Sequence, residues 1–461
     1  MKANSILDIL NSLDERVRKQ REFIEKYERP LISYTLNIAG SIKKSPVFDI
    51  VFDEGLKLII SEIEDNLLFK EIKRESTGCI AYLVVDDEIK ELKRKMVGIE
   101  ERSPSARLYD IDVIGLDLKP VSRIEFGVSE RRCIVCNKPY LECRRNKTHS
   151  MEEVVSKTQK IASDECAKVI SNIASYCLKA ELSTTPKPGL VDKKNNGSHD
   201  DMNFELFLKS INTITPYLEE EYLACFKYKD KNELFQEMKN IGMRAEYAML
   251  IATNSINTHK GAFFSLSNIG CGICYLLSND EEPSISKIRS FATEFSLWAQ
   301  THNDLQNSNG YKVRENDNKV GIYYEAINGY PSIFDNCDKY LNTFKGDRYM
   351  KYISSLYSCS EFDYCTFNEI IEEQALRVFC TLLSCADDSN IIHRGGIDAL
   401  CDMHEQFLQL DRENISIGAL KSELSEVDST FIAANLSPGG TADLLSIALF
   451  IMILMALNIV R

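Results

Sequence analysis

The segment Arg107-Leu-Tyr-Asp-Ile-Asp-Val-Ile114 alternates polar and apolar residues and predicts a β-strand. In such a strand Asp110 and Asp112 point to one face of the sheet, while Ile111 and Val113 point to the other. Cα atoms two residues apart in a strand are separated by about 7 Å, so the two carboxylates can converge on one or two divalent cations. Taken alone, Asp-x-Asp fits a solvent-facing pair on an edge strand better than a metal site.

The surrounding sequence predicts two domains of different class. Strand-like runs cover residues 31–38 and 79–85, with a helical pattern over residues 48–69 between them. A strand, a Gly-Ser turn and a later strand with Asp-x-Asp are the layout of many nucleotidyltransferases, so we expect an α/β N-terminal domain of that type. Long helical patterns follow and predict a mainly α-helical C-terminal domain, with residues 153–161 as the linker.

Net charge, cysteine content and hydrophobicity exclude several classes of function and location. The chain has 461 residues and a net charge of -14, which disfavours broad binding to nucleic acid. Its 15 cysteines are scattered and its N-terminus lacks the pattern of a signal peptide, so we expect reduced thiols and a cytoplasmic location. The uncharged residues 444–460 approach the length of a membrane span, but they follow a glycine-rich turn directly, and we predict a buried core helix.

Two further features lie in the N-terminal half. Gly40 and Ser41 form a turn whose backbone N–H groups can hold phosphate, with Lys43 close behind. The second feature has the residue types of a tetrahedral zinc site, namely Cys133, Cys136, Cys143 and His149. The gaps of six and five residues between the later ligands are not diagnostic. Buried thiols beside a basic patch are therefore the favoured interpretation, and zinc is the less favoured one.

These motifs together resemble the citrate lyase holo-acyl-carrier-protein synthase family over about residues 1–152. The matching blocks are residues 37–43, the strand at 107–114, and the Arg-Cys-Ile-Val-Cys segment with its following cysteine and histidine. The resemblance implies transfer of a phosphoribosyl-dephospho-CoA group to a serine of a carrier protein, with pyrophosphate leaving. The implied roles are Mg²⁺ binding by Asp110 and Asp112, phosphate binding by Gly40 and Ser41, and charge neutralisation by Lys43 and Arg107.

Four glycine-bearing loops carry acids and bases between the predicted helices of the second half. They cover residues 181–202, 257–262, 393–396 and 436–443. The first is stiffened by two prolines and suits a magnesium-bound triphosphate, although a capped turn between helices explains it equally well. If the helices pack as a bundle, the loops form one polar site.

These loops closely resemble the triphosphoribosyl-dephospho-CoA synthase family over about residues 162–461. The matching blocks are Thr185-Pro-Lys-Pro-Gly-Leu-Val-Asp-Lys193, residues 257–262 and residues 436–445. The resemblance implies that ATP and 3'-dephospho-CoA give the triphosphoribosyl derivative, which the first half consumes, and free adenine. Relatives commonly carry Gly-x-Arg-Gly-Glu-Ala where this chain has residues 321–326; Glu325 is retained, the arginine is not, and Arg314 is the candidate replacement.

The combined prediction is a bifunctional transferase that builds and attaches the citrate lyase prosthetic group. Its expected partners are ATP, 3'-dephospho-CoA and the citrate lyase acyl carrier protein (gamma subunit), without nucleic acid or membrane. A carboxylate must accept a proton or stabilise an oxocarbenium-like transition state. The assigned residues are Asp192, Asp201, His259 and Glu325 for catalysis, Asp200, Asp201 and Asp443 for Mg²⁺, and Lys187, His199, Lys260, Arg394, Ser437, Gly439 and Gly440 for substrate. The malonate decarboxylase system, an N-ribosyl hydrolase and a non-catalytic nucleotide-binding regulator remain alternatives.

Overall fold

The computed structural model describes residues 4–302, 320–345, 349, 369–412 and 415–461. The chain divides into two compact units, Met1–Cys166 (unit 1) and Ala167–Arg461 (unit 2). Unit 1 combines a small sheet with helices, and the described part of unit 2 is helical. The predicted fold class is confirmed for both parts.

Unit 1 is built on an antiparallel sheet in the order β2-β3-β1-β4. Its strands are β1 (Leu31–Leu36), β2 (Leu67–Glu75), β3 (Gly78–Val85) and β4 (Tyr109–Ile114). Strand β2 lies at an edge, and its residues alternate between exposed and half-buried. The prediction of a helix up to residue 69 was therefore wrong at its end, because the apolar residues that open β2 extend the helical pattern that precedes them.

Four helices surround this sheet: α1 (Ile6–Tyr27), α2 (Pro46–Ile63), α3 (Ile89–Glu101) and α4 (Tyr140–Asn146). Helix α1 begins with a capping box in which Ser5 Oγ accepts from the Asp8 N–H at 3.1 Å and Asp8 Oδ2 accepts from the Ser5 N–H at 2.9 Å. Its last turns place Phe23 and Ile24 in a core cluster with Tyr82 of β3. Helix α1 is thus anchored on the sheet through its C-terminal half.

Helix α5 (Met151–Ser183) is continuous and includes the residues predicted as a linker. The further helices in the described part of unit 2 are α6 (Phe204–Lys227), α7 (Lys231–Ala252), α8 (Lys260–Ser278), α9 (Ile285–His302), α10 (Ile322–Ile327), α11 (Pro331–Phe334), α12 (Asp338–Leu341), α13 (Glu369–Leu383), α14 (Ser389–Arg412), α15 (Ile417–Ala433) and α16 (Gly439–Ala456).

Helices α8 and α16 are long and apolar enough to cross a membrane by composition alone. In each, 78% of the apolar window is buried inside the structure. Every residue of α16 from Leu444 to Ala456 is buried, as predicted for a core helix. Such burial is typical of core helices, so these two segments are weak evidence for a membrane span.

Candidate active sites

The two aspartates of β4 lie on one face of the sheet in unit 1, as predicted. Residues of β4 alternate between buried and half-buried, with both carboxylates in half-buried positions. On the neighbouring strand β1, Thr35 pairs with Asp110 and Ser33 pairs with Asp112. Asp110 also lines a cavity of about 220 Å³ together with Lys43 and other residues of unit 1. Asp110 therefore places a carboxylate in the lining of this cavity.

Two arginines that lie far away in the sequence contact these aspartates. Arg16 of α1 donates from Nη2 to Asp112 Oδ2 at 2.8 Å and from Nε to Ser33 Oγ at 3.2 Å. Arg131 Nη1 lies 3.5 Å from Asp110 Oδ1, and the same guanidinium pairs with the buried Glu100. Burial and the neighbouring Asp110 raise the pKa of Asp112, whereas the positive charge of Arg16 opposes this rise. The negative charges of Asp110 and Asp112 are thus partly neutralised by the side chains of Arg131 and Arg16.

The predicted phosphate turn is divided between the cavity and the surface. Gly40 adopts φ +85°, which favours glycine, and Ser41 is exposed with its carbonyl accepting from the Asn4 N–H at 3.2 Å. Lys43 lines the cavity, where Nζ donates to the Ile38 carbonyl and burial lowers the pKa of the ammonium group. Of the three predicted residues, Lys43 is the one that reaches the cavity lining.

Arg107 contacts the cysteine-rich segment. Its Nη2 donates to the carbonyls of Arg132 and Cys133 at 2.8 and 2.7 Å, and its Nη1 donates to Asn137 Oδ1 at 3.1 Å. The structure brings the ligand atoms of Cys133, Cys136, Cys143 and His149 within 4.8 Å of one another. The predicted contact of Arg107 with phosphate stays a prediction, since these bonds hold its guanidinium on the loop.

In unit 2, Asp192 organises the first predicted loop. Its Oδ2 accepts from the Lys187 N–H at 3.0 Å and from Thr185 Oγ1 at 2.7 Å. Its Oδ1 accepts from the N–H groups of Lys194 and Asn195 at 2.6 and 3.1 Å. The carboxylate thereby fixes the loop on both sides of the Pro-Gly segment. Its predicted role as a base or metal ligand stays a prediction beside this structural one.

A buried polar centre, formed by Glu181, Lys187, His259 and Asp443, adjoins this loop. Lys187 Nζ pairs with the carboxylate of Glu181, and both side chains are almost completely buried. Burial and the charge of Lys187 lower the pKa of His259 to about 3, so its ring is neutral at pH 7. Burial, together with Glu181 and Asp388, raises the pKa of Asp443 well above its ordinary value. The centre combines one paired cation, one neutral imidazole and one carboxyl group whose pKa is raised by burial.

The imidazole of His259 is held from one side. Its Nδ1 lies 2.8 Å from Ser210 Oγ, and its ring packs edge-on against Phe207. Its Nε2 is buried and has no hydrogen-bond partner among the described residues. At the start of α8, an added Cβ on Gly261 would lie 2.1 Å from Asp443 Oδ2, so the backbone there closely approaches the carboxyl group. The Nε2 atom of His259 is thus left without a partner by the described residues.

A second group, the loop group, joins the first and last predicted loops. His199 Nε2 lies 2.8 Å from Ser437 Oγ, and Arg394 Nη2 lies 3.4 Å from His199 Nδ1. Arg394 also donates from Nη1 to the Ser198 carbonyl at 3.0 Å. The carboxylate of Asp201 is 3.9 Å from His199 and largely exposed, and Asp200 is exposed as well. Loops that are more than 190 residues apart in the sequence therefore meet.

The remaining predicted residues lie around these groups. Lys260 Nζ pairs with Glu246 Oε1 at 2.5 Å, and Glu325 is buried and accepts from Ser332 Oγ at 2.6 Å. Gly439 and Gly440 begin α16; an added Cβ would lie 2.8 Å from Asn390 Nδ2 at Gly439 and 3.2 Å from Asp388 Oδ2 at Gly440. Arg314 lies outside the described residues.

Sequence reasoning missed four charged residues of these sites: Arg16, Arg131, Glu181 and Asp388. Asp388 is buried and accepts from the Thr441 N–H at 2.7 Å and from the Asn390 N–H at 2.8 Å. Its position just before a helical pattern was a usable signal for a cap. Arg16 lies 96 positions from Asp112, and Arg131 comes from a different segment than Asp110 and Glu100, so a local pattern does not identify these pairs. The pairing of Glu181 with Lys187, six residues away, lies within the first predicted loop.

Comparisons with known proteins agree with this two-part arrangement. The family described as apo-citrate lyase phosphoribosyl-dephospho-CoA transferase matches residues 4–165, and the family described as ATP:dephospho-CoA triphosphoribosyl transferase matches residues 167–460. Protein CitXG of Haemophilus influenzae is 30% identical over 97% of this chain and 95% of its own length. The chain belongs to this family of fused transferases. It is a bifunctional transferase of citrate lyase prosthetic-group synthesis.

Other relatives of the fused transferase cover either the whole chain or its second part. Protein CitXG of Leuconostoc mesenteroides subsp. cremoris is 29% identical over 97% of this chain and 96% of its own length. A probable 2-(5''-triphosphoribosyl)-3'-dephosphocoenzyme-A synthase of Streptococcus equi subsp. equi is 32% identical over 61% of this chain and 96% of its own length. The two family matches meet at residues 165–167, where the two compact units also meet.

Proposed function

We propose that the chain catalyses two consecutive group transfers in the cytoplasm. Residues 162–461 join ATP to 3'-dephospho-CoA and release adenine. Residues 1–152 then transfer the phosphoribosyl-dephospho-CoA group to a serine of the citrate lyase acyl carrier protein, the gamma subunit, and release pyrophosphate. Residues 153–161 connect the two parts. Neither step uses nucleic acid or a membrane, and the observation that carries the proposal is the pair of separate acid- and base-lined sites, one in each unit.

In unit 1, Asp110 and Asp112 are proposed to hold Mg²⁺ against the triphosphate. Their oxygens suit a hard cation, and their shared face and the adjoining cavity support this assignment. The bound ion would offset phosphate charge and favour ionisation of the incoming hydroxyl. The serine oxygen forms a bond to the α-phosphorus as the bond to the pyrophosphate oxygen breaks. Gly40, Ser41, Lys43 and Arg107 are the proposed phosphate contacts.

In unit 2, the ribose hydroxyl of dephospho-CoA attacks the anomeric carbon of ATP as the bond to adenine breaks. We assign Asp192, Asp201 and Glu325 as candidate bases or charge stabilisers, and Asp200, Asp201 and Asp443 as Mg²⁺ ligands. Lys187, His199, Lys260, Arg394, Ser437, Gly439 and Gly440 are the proposed contacts of ATP and dephospho-CoA.

His259 has two candidate roles, which are protonation of the departing adenine and positioning of the nucleophile. Its pKa distinguishes between them. An imidazole with a pKa of about 3 carries almost no proton to donate at pH 7. Its unpartnered Nε2 can still hydrogen-bond to a substrate hydroxyl or to the leaving base. We therefore assign His259 to positioning of the nucleophile and do not assign it as the acid that protonates adenine.

The two half-reactions can be tested separately in the full chain. Wild type is incubated with ATP, Mg²⁺, dephospho-CoA and apo carrier protein; adenine is measured by chromatography and the carrier by mass spectrometry. Asp110→Asn should retain adenine release and lose carrier modification. Lys260→Ala should lose adenine release and still transfer a preformed intermediate. Asp14→Asn, an exposed aspartate on α1, is the matched control and should retain both activities.

Mixing the two variants adds a further readout. If the intermediate leaves unit 2 freely, the mixture modifies the carrier although neither variant does so alone. Normal carrier modification by Asp110→Asn, or loss of adenine release in that variant, would contradict the division of chemistry between the units. Neither adenine nor a carrier mass change with wild type would refute both steps.

A further inference from the structure

Three cysteines and one histidine near the end of unit 1 converge on a common point. The ligand atoms of Cys133, Cys136, Cys143 and His149 all lie within 4.8 Å of one another, and the Cys136 and Cys143 sulfurs are 3.4 Å apart. With zinc–sulfur bonds of about 2.3 Å, ligand atoms at the corners of a tetrahedron lie about 3.8 Å apart. The four side chains are therefore already gathered to nearly the size of a zinc coordination shell.

The cluster contains one polar atom that the described part of the protein leaves unsatisfied. His149 Nε2 is buried and has no hydrogen-bond partner among the described residues. Cys133 and Cys143 are buried, and all three cysteines are free thiols. A buried polar atom without a partner destabilises the fold. Coordination of a cation by these four side chains would remove that destabilisation.

The backbone presents the first two thiols from a tight turn. The Cys133 N–H donates to the Lys138 carbonyl at 2.6 Å, and the Asn137 N–H donates to the Cys133 carbonyl at 3.0 Å. Asn137 adopts φ +61°, and the backbone N–H groups of Cys136 and Val135 bond to the Cys133 sulfur. Such N–H donors stabilise a thiolate, which is the form that binds metal.

The other two ligands lie on and just after helix α4. Cys143 is in the helix, which ends at Lys147 in the left-handed conformation with φ +47°. The Thr148 N–H then donates to the Cys143 carbonyl at 3.1 Å, and this reversal brings His149 back toward Cys143. A turn and a capped helix thus supply two ligands each, as in structural zinc modules.

We propose that Cys133, Cys136, Cys143 and His149 bind one zinc ion that stabilises this segment. Three sulfurs and one imidazole favour zinc over Mg²⁺ or Ca²⁺, which prefer oxygen ligands. Four protein ligands complete a tetrahedron and leave no position for a substrate, so the site is structural. The spacing favoured buried thiols over zinc, and the convergence of the four ligand atoms decides for zinc.

The site has a defined effect on its neighbours. The segment that it would hold includes Arg131, which lies 3.5 Å from Asp110, and the carbonyls of Arg132 and Cys133, which accept from Arg107. Arg107 lies two residues before the start of the strand that carries Asp110. Zinc would therefore fix both arginines relative to β4, and its loss should loosen their positions.

Metal analysis of the full chain tests the proposal without any activity assay. The protein is purified without a metal-affinity tag, dialysed against metal-free buffer, and analysed by plasma mass spectrometry. We expect about one zinc per wild-type chain. Cys143→Ser and His149→Ala should each lower the zinc content at least tenfold, and Cys401→Ser, at the exposed cysteine of α14, should leave it unchanged.

A second measurement covers variants that fail to fold. A mercurial reagent is titrated into wild type in the presence of a zinc-sensitive dye, and one zinc should be released as three thiols react. Cobalt added to metal-depleted wild type should give the charge-transfer absorption of thiolate-bound cobalt. Wild type that holds less than a tenth of a zinc per chain after exposure to zinc, or that holds iron in its place, would overturn the proposal. Full zinc retention by Cys143→Ser would do the same.

Discussion

The buried His259 should make the stability of unit 2 depend on pH in a defined direction. Its pKa is about 3 in the folded chain and 6.5 in the unfolded chain, because burial and Lys187 disfavour the imidazolium. Between these values the unfolded chain binds a proton that the folded chain does not. Acid therefore favours unfolding, and the stability that is present above pH 6.5 is lost progressively as the pH falls toward 3.

The size of the effect follows from the separation of the two pKa values. A pH of 5.0 is about 1.5 units below the pKa of the histidine in the unfolded chain, so that histidine is almost fully protonated. At about 1.4 kcal/mol per unit, the linked loss relative to pH 7.5 is about 2 kcal/mol. Replacement by asparagine removes the titrating ring, so the His259→Asn variant should lack this part of the pH dependence.

Trp298 provides the assay because it is the only tryptophan in the chain and lies in α9 of unit 2. Urea unfolding is followed by its fluorescence at pH 7.5 and pH 5.0 for wild type and His259→Asn. Its ring stacks on His302 with centroids 4.3 Å apart, so transition midpoints and slopes are compared and intensities are not. His393→Asn, at an exposed histidine, is the matched control.

Other groups titrate in the opposite sense, which is why the variant is needed. Burial raises the pKa of Glu221 to about 8, and that group stabilises the folded chain as the pH falls. The informative quantity is the difference in free energy of unfolding between wild type and His259→Asn. This difference should change by about 2 kcal/mol between pH 7.5 and pH 5.0. An equal shift in both proteins would refute the claim that His259 is held neutral.

Two further substitutions address the buried polar centre. Gly261→Ala places a Cβ 2.1 Å from Asp443 Oδ2 and should lower adenine release at least tenfold. It should not affect carrier modification from preformed intermediate. The control is Gly418→Ala, where a Cβ meets nothing within 4 Å, and it should retain adenine release. Lys187→Met leaves Glu181 buried without its cation and should destabilise unit 2 by about 3–5 kcal/mol, measured by urea unfolding. Adding Glu181→Leu to this variant should recover part of the lost stability. If Lys187→Met alone were as stable as wild type, the pairing would be contradicted.

Local periodicity predicted the regular elements well. The alternation at residues 107–114 predicted a strand with the correct faces, because a half-buried strand must alternate. The strand begins at Tyr109, since Arg107 and Leu108 end a short 3-10 helix. Helices α6, α7 and α9 lie in the part of the chain where apolar spacing predicted long helices. Strand β2 was missed because its exposed edge buries too little to impose a clear pattern.

The sequence allowed the loops that carry site residues to be predicted. It did not allow the contacts between those residues to be predicted. Glycine and proline identified the loops that meet around His199 and Ser437. The contact between Arg16 and Asp112 joins residues 96 positions apart, and no local pattern records it. The cysteine cluster shows the same limit, since spacing supplied the ligand types and the fold supplied their convergence.

Asp388 connects two segments that are distant in the sequence. One carboxylate accepts from N–H groups in the first turns of both α14 and α16. Because a single side chain satisfies both helix ends, fraying of one end removes the shared acceptor from the other. Amide hydrogens of Ile391 and Thr441 should therefore exchange with deuterium at matched rates.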